Sequence, residues 1–235
     1  MIKITNKHTI EEQVKQRPKG AVLVVFKKTP MCNELIQLAE SYGVPVKFSK
    51  TPIHPDEAER GYYLQINDHQ TTERPWNELL VELEAKGKSL VLILDGLEDP
   101  QNFGAILRSA DQFSVDAVIT PQRRSVSLSP GAMAASSGAH LWVPRSTVPN
   151  LVRALQDLKK IGFWIYGADM GGIPLHQTKF APKTALVMGS EGRGLGRLVQ
   201  ETCDEVLSIP TTGHIDSLNV SVATGIFLYA IRTQV

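Results

Sequence analysis

Short apolar runs of about strand length recur along this chain and alternate with stretches whose apolar residues fall at helical spacing. Residues 21–26 suit a buried strand. Thr29 and Pro30 then read as an N-cap and first helical position. Leu35, Leu38 and Ala39 stripe that helix, Gly43 ends it, and residues 44–48 form a second strand. The pattern becomes more regular beyond residue 89. Strand 90–94 is followed by a stripe of Phe103, Ile106, Leu107, Ala110 and Phe113, then by strand 117–120. Ser129-Pro130 opens a helix of small residues that closes at Gly138, and Leu151, Leu155 and Leu158 stripe another. Strands at 163–167, 184–188 and 206–209 lead to a last helix, 220–231, with Ala223, Ile226, Phe227, Ala230 and Ile231 on its buried side. Strands alternating with helices through short connections predict an α/β fold, a mostly parallel sheet flanked by helices. Residues 51–88 are rich in Pro, Asp, Glu and Gly and hold one helical stripe, Trp76, Leu79, Leu80 and Leu83. A domain boundary is expected near residue 88.

The 235 residues suffice for two such units. No apolar run approaches the roughly 18 residues of a membrane span, and residues 1–7 lack the apolar core of an export signal. A cytoplasmic protein without a membrane partner is expected. Cys32 and Cys203 are far apart and read as reduced structural thiols. Six scattered histidines offer no metal-ligand spacing. A net charge of +1 does not advertise a nucleic-acid partner. Its distribution says more: residues 1–50 carry nine Lys and Arg against four Asp and Glu, whereas 51–88 carry four against eight. Two readings stay open, a solvated surface with clustered charge or a basic lobe for RNA phosphates.

Three segments carry chemistry. Asn102-Phe103-Gly104-Ala105-Ile106-Leu107-Arg108-Ser109-Ala110 places Asn102 at the opening of a helix and Arg108 about a turn and a half further on. A helix N-terminus attracts anions, and arginine is a two-pronged phosphate donor. Holding that guanidinium neutral at pH 7 would cost about 7.5 kcal/mol, so Arg108 is read as a charge clamp rather than a base. The second segment, Leu186 to Leu195, puts Gly189, Glu191, Gly192 and Gly194 in a loop between a strand and a helix, where backbone N–H groups can close on a ligand. It matches neither a P-loop nor the dinucleotide fingerprint. The third, Ile209 to Ala223, joins a strand through Pro210 and Gly213 to the last helix, with Gly213 permitting a path that a larger residue would resist. Ser217 and Asn219 bring polar groups to the helix mouth, where either can cap it.

In this order and position, the three segments resemble the signature motifs of the SpoU/TrmH family, S-adenosylmethionine-dependent RNA 2′-O-ribose methyltransferases. The resemblance covers roughly residues 89–235. It implies the SPOUT fold with a C-terminal trefoil knot, an exception to the usual avoidance of knots, and a homodimer in which Arg108 of one subunit serves the cofactor of the other. By the same resemblance, Gly189 and the backbones of Ile209 and Leu218 bracket the adenosyl group, and Glu191 organises the site. Asn102, Arg108, Ser217 and Asn219 stand with Glu191 as its catalytic set. Residues 1–70 look like the small ribosomal-protein L-thirty-e-like domain of many relatives, with a linker at 71–88 and the methyltransferase domain at 89–235. The layout is most similar to bacterial enzymes acting on a guanosine of large-subunit ribosomal RNA. A transfer-RNA ribose methylase and a silent RNA-binding or assembly factor are the alternatives. His140 and Thr211-Thr212 depart from the residues expected of close relatives, and His214 lies inside the third loop.

Overall fold

The computed structural model describes residues 2–16, 20–27, 29–49, 60–66, 72–123, 125–190, 192–215 and 217–234. It divides into two units, Met1–Thr71 and Thr72–Val235.

In the first unit, β1 (Ile2–Ile4), α1 (Lys7–Lys15), β2 (Val22–Val25), α2 (Pro30–Ser41), β3 (Val46–Phe48) and β4 (Tyr62–Ile66) follow one another. The sheet order is β1-β4-β2-β3, with β2 and β3 parallel and the other pairs antiparallel. Thr29 caps α2 through the Cys32 amide, Pro30 takes the first turn, and Gly43 follows the helix at φ +71°. The pattern missed β1, α1 and β4. β1 has three residues, and α1 hides its face because two of its buried residues, Thr9 and Gln13, are polar. Local ion pairs also use some of the lobe's positive charge: Lys7 lies 2.6 Å from Glu34 and Lys15 lies 2.6 Å from Glu12.

The second unit contains α3 (Trp76–Glu84), β5 (Ser89–Asp95), α4 (Pro100–Gln112), β6 (Ala117–Pro121), α5 (Pro130–Ala135), β7 (Arg145–Val148) and α6 (Leu151–Lys160). β8 (Trp164–Pro174), β9 (Lys183–Gly189), α7 (Arg197–Thr202), β10 (Glu205–Ser208) and α8 (Val220–Arg232) complete it. Every neighbouring pair in the sheet β10-β8-β9-β5-β6-β7 is parallel. Both faces are covered, which is why its central strands read as unbroken apolar runs. Leu90, Leu92 and Leu94 face one core with Phe103, Ile106, Phe227 and Leu228, while Val91 and Ile93 face another with Leu79, Leu83, Leu155 and Leu158.

Residues 72–88, expected as linker, belong to this unit. Arg74 N–H donates to the Arg145 carbonyl at 2.8 Å and Arg145 N–H to the Thr72 carbonyl at 2.7 Å, so the segment extends along β7. Leu79 and Leu83 of α3 are buried. The composition hid this packing because the segment's polar residues flank a two-leucine anchor. β7 itself escaped notice because its buried residues include Arg145 and Ser146. β8 is longer than expected, and its register against β10 jumps across residues 168–172, from Gly167 opposite Val206 to Ile173 opposite Leu207. A Cβ on Gly172 would lie 2.4 Å from the Val206 carbonyl oxygen, so a side chain there would push the two strands apart. The last helix is turned relative to its expected face. Val220, Thr224, Phe227, Leu228 and Ile231 are buried, whereas Ile226 is 37% exposed.

Candidate active site

Helices α4 and α8 carry the first and third motifs and run side by side in the same direction. At their starts Asn219 Nδ2 donates to Asn102 Oδ1 at 2.9 Å. At their ends Arg232 Nε and Nη2 donate to the carbonyls of Phe113 and Ser114. The helix cap of α4 is Asp99, whose carboxylate accepts from the amides of Gln101 and Asn102, with Pro100 at the first position. Asn102 therefore sits in the first turn rather than at its mouth, and it is 8% exposed. The anion site expected at this N-terminus is filled by the chain's own carboxylate. Asn219 caps α8, its Oδ1 accepting from the amides of Ser221 and Val222 at 2.9 and 3.3 Å. One asparagine thus starts a helix with its oxygen and ties two motifs together with its nitrogen.

Arg108 is brought to neither asparagine. Six residues along a helix correspond to about 9 Å of rise and about 120° of rotation, so it leaves α4 on a different face from Asn102. It is exposed, and its Nη1 lies 3.5 Å from Ser137 Oγ. α5 packs so closely on α4 that a Cβ on Gly104 would lie 2.5 Å from the Ala132 carbonyl. That contact places the 136–138 turn, with Ser137 at φ +50°, beside Arg108.

The second motif closes on itself. Ser190 and Gly194 exchange both backbone hydrogen bonds, at 3.0 and 3.1 Å, and Gly192 and Gly194 take left-handed φ values of +79° and +64°. A Cβ on Gly189 would meet Gly194 C at 2.3 Å and Leu195 N at 2.6 Å, so only glycine fits beneath the loop. Gly196 N–H donates to Asp95 Oδ2 at 2.8 Å, tying the loop's exit to the end of β5. Glu191 lies outside the described residues.

β9 ends at Gly189 and is a neighbour of β8, which in turn neighbours β10. Ile209, half-buried, follows the end of β10 at Ser208. Ser217 is exposed and Leu218 is 38% exposed, directly before the cap Asn219. Gly213 meets nothing within 4 Å of a built Cβ and has no positive φ, so the expected conformational need for glycine there is absent. The sequence reading missed a fourth contributor, the 168–172 bulge of β8: Ala168 pairs with Met188 beside Gly189, and Asp169 Oδ2 lies 3.1 Å from a Cβ built on Gly194. Its only signal is the Gly171-Gly172 pair.

Large apolar side chains are left exposed on these loops, Met170 at 67% and Ile215 at 82% besides Leu218. Apolar side chains beside backbone polar groups suit an adenosyl ligand, whose ring needs flat apolar cover and edge hydrogen bonds. The residues present fit S-adenosylmethionine. Among the described residues no group of His, Cys, Asp and Glu could hold a metal ion.

His140 is a buried structural residue of the second unit. Its Nδ1 lies 2.7 Å from Ser136 Oγ, which donates to the Met133 carbonyl at 2.8 Å, so Nδ1 carries the proton. Burial, then nearby Arg145, pull its pKa down to about 4. Cys203 is a part-buried thiol whose pKa burial raises to about 11, in keeping with a structural role. His214 is exposed.

The site thus combines the loops that leave three neighbouring parallel strands, β8, β9 and β10, with the Asn219–Asn102 pair that opens the last helix. Residues 89–229 match the SpoU rRNA Methylase family. The chain is 39% identical over 218 residues to an uncharacterized tRNA/rRNA methyltransferase of Borreliella burgdorferi, covering 88% of this chain and 96% of that protein. Its fold is similar to the SpoU methyltransferase AviRb from Streptomyces viridochromogenes, solved in complex with AdoMet, at TM-score 0.71, 19% identity, 99% of this chain and 89% of that one. A structure described as concerning 2-OH methylation on tRNA matches at TM-score 0.56 and 26% identity, over 63% of this chain and 96% of that one. The chain belongs to the SpoU rRNA methylase family. It is an S-adenosylmethionine-dependent RNA methyltransferase. Among the described residues, no helix is long and apolar enough to cross a membrane.

Proposed function

We propose that the chain methylates a ribose 2′-hydroxyl of RNA, on a guanosine of large-subunit ribosomal RNA. The observation that supports this reading is the Asn219–Asn102 hydrogen bond, which joins the first and third motifs at one point. S-adenosylmethionine, when bound between Gly189, Ile209 and Leu218, supplies an electrophilic methyl group on a sulfonium. The chain's own residues do the rest. Asn102 and Asn219, fixed by each other, orient the ribose, and Ser217 and Glu191 complete the catalytic set in this reading. Arg108 grips the adjoining phosphate and steadies negative charge growing on the attacking oxygen.

Arg108 leaves its helix about a third of a turn from Asn102, which favours a homodimer in which it reaches the partner's site. α8 supports the same assembly: Val222, Ile226 and Tyr229 stand 52%, 37% and 62% exposed at helical spacing, an apolar stripe suited to a second copy. The last strands and loops form the trefoil knot of the SPOUT fold in this reading. Residues 1–70 serve as an L-thirty-e-like RNA-binding domain, and the protein works in the cytoplasm. The relative described for 2-OH methylation on tRNA favours transfer RNA as the second reading.

The test is to incubate the protein with methyl-labelled S-adenosylmethionine and ribosomal or transfer RNA from a strain lacking it, then digest with alkali. A 2′-O-methyl group blocks cleavage, so label should remain in alkali-resistant dinucleotides. Label released in mononucleotides would mean base methylation and would end the ribose assignment.

A further inference from the structure

On the α4 side of the sheet, a cavity of about 180 Å³ is lined by residues of β6, β7, α4 and the loop after β6. Arg145, Thr120 and Phe103 are its buried lining, while Glu73 and Thr147 are exposed at its mouth and Leu128 reaches it from the loop. We infer that this cavity receives a guanine base of the bound RNA, with Arg145 and Glu73 reading its two edges. The inference deepens the RNA methyltransferase reading and rests on it.

The arginine carries the argument. Arg145 is 9% exposed, and a charge buried to that degree is normally paired with an acid. Among the described residues its guanidinium bonds only Thr72 Oγ1, which accepts from Nε at 3.3 Å and from Nη2 at 3.2 Å. Those two bonds use one edge of the fork. The end edge, with parallel N–H groups on Nη1 and Nη2, is left unanswered. Burial lowers the pKa of Arg145 while nearby Glu73 raises it. Glu73 stands opposite Arg145 where the 72–74 segment bridges β7, so both side chains leave the same face. Its carboxylate accepts from the Thr147 hydroxyl at 2.7 Å, and a carboxylate offers about four acceptor positions. A paired donor edge therefore lies beside an acidic acceptor at one cavity.

Guanine is the base whose edges match. Its O6 and N7 accept from a guanidinium as a pair, and its N1–H and 2-amino group donate to a carboxylate. Adenine puts a donor beside N7, where the fork needs an acceptor. Phe103 and Leu128 give a flat ring apolar cover. A phosphate would instead meet the Glu73 carboxylate and leave those walls unused. The volume equals that of about six waters, a space on the scale of one base and too small for the whole cofactor. Phe103 also follows Asn102 in the first turn of α4, so the cavity adjoins the helix start held by the asparagine pair.

The experiment is an anisotropy titration of a short fluorescein-labelled uridine RNA with a single central guanosine. That guanosine is kept or replaced by 7-deazaguanosine, inosine or adenosine, and the proteins are wild type, Arg145→Lys and Glu73→Gln. Wild type should bind the guanosine RNA about fivefold or more tighter than the 7-deaza and inosine forms, which lack N7 and the 2-amino group. Arg145→Lys keeps the charge but not the fork, so it should lose the 7-deaza penalty and keep the inosine one. Glu73→Gln should do the reverse. Because Glu73 is exposed, its variant decides the question even where the buried arginine variant fails to fold. Equal wild-type affinity for all four RNAs, or both penalties unchanged in both variants, would overturn the inference. So would a loss in Arg145→Lys shared equally by every RNA, which would mean a phosphate contact. Mapping the methyl group on the same RNA separates the two readings. Methyl on a base defeats the ribose assignment and leaves the cavity's role standing, whereas ribose methylation without guanosine preference defeats the cavity's role alone.

Discussion

Replacing Gly189 by alanine tests the loop geometry most directly. The added Cβ would lie 2.3 Å from Gly194 C, 2.4 Å from Gly194 O and 2.6 Å from Leu195 N, all backbone atoms. Ordinary contact begins near 3.4 Å, so strand or loop must retreat by about 1 Å. The φ of Gly189 is not positive, so the penalty is steric rather than conformational. A shift of that size stretches the two Ser190–Gly194 hydrogen bonds, now at 3.0 and 3.1 Å, to or beyond useful length. Overpacking costs about 1–3 kcal/mol and each lost hydrogen bond about 1 kcal/mol, offset by under 1 kcal/mol of entropy withdrawn from the unfolded chain. The net is about 2–4 kcal/mol, or roughly 5–15 °C in Tm for a unit of this size. Thermal melts followed by circular dichroism should show that loss, and calorimetry should show S-adenosylmethionine affinity down by about tenfold or more as the wall moves. Gly213→Ala, with nothing within 4 Å and no positive φ, should change stability by less than about 0.5 kcal/mol. Equal Tm values for the two variants would refute the steric argument.

Arg108→Ala should abolish methyl transfer while cofactor affinity, read by calorimetry, stays near wild type; equal loss of both would make the residue structural. If the site is shared between subunits, mixing Arg108→Ala protein with Asn219→Ala protein should restore part of the activity, because one of the two sites in a mixed dimer is intact. No recovery after subunit exchange would place Arg108 in its own subunit's site. Asn219→Ala should cost about 1–3 kcal/mol in urea unfolding, by removing the α8 cap and leaving Asn102 Oδ1 short of its donor. Asn219→Ser, which can cap but not bridge, should recover about half of that while remaining inactive. Buried His140 makes stability acid-sensitive: above its unfolded value near pH 6.5 both states are neutral, and as pH falls toward the folded value of about 4 only the unfolded state gains a proton. Stability should therefore decline by up to about 3 kcal/mol between pH 6.5 and 4, and unfolding midpoints of His140→Gln should be flatter across that window.

How much was legible follows from what each element needed to announce itself. Strands β5 and β9 are buried on both faces, so their apolar runs marked them without ambiguity. β7, at the sheet's edge, buries Arg145, Ser146 and Val148 but exposes Thr147, and its polar pair is buried because 72–74 pairs along it and Thr72 Oγ1 meets the guanidinium at 3.2 Å. A polar strand made buriable by a remote segment leaves no periodic trace. The bulge at 168–172 was invisible for a related reason: it is defined by a jump in register against β10, which exists only once the strands have paired.

Glycines show the same division at the site. Gly189 and Gly213 look alike in the sequence, each following an apolar strand and preceding a polar loop. Only Gly189 is pressed against backbone, because the loop after it folds back through the Ser190–Gly194 pair, whereas the loop holding Gly213 stays open. The difference lies in what happens five residues later, where Gly194 turns left-handed. That return presses Gly194 and Leu195 onto Gly189, so the two ends of the turn hold each other in place and the glycine's need is set by packing rather than by its own φ.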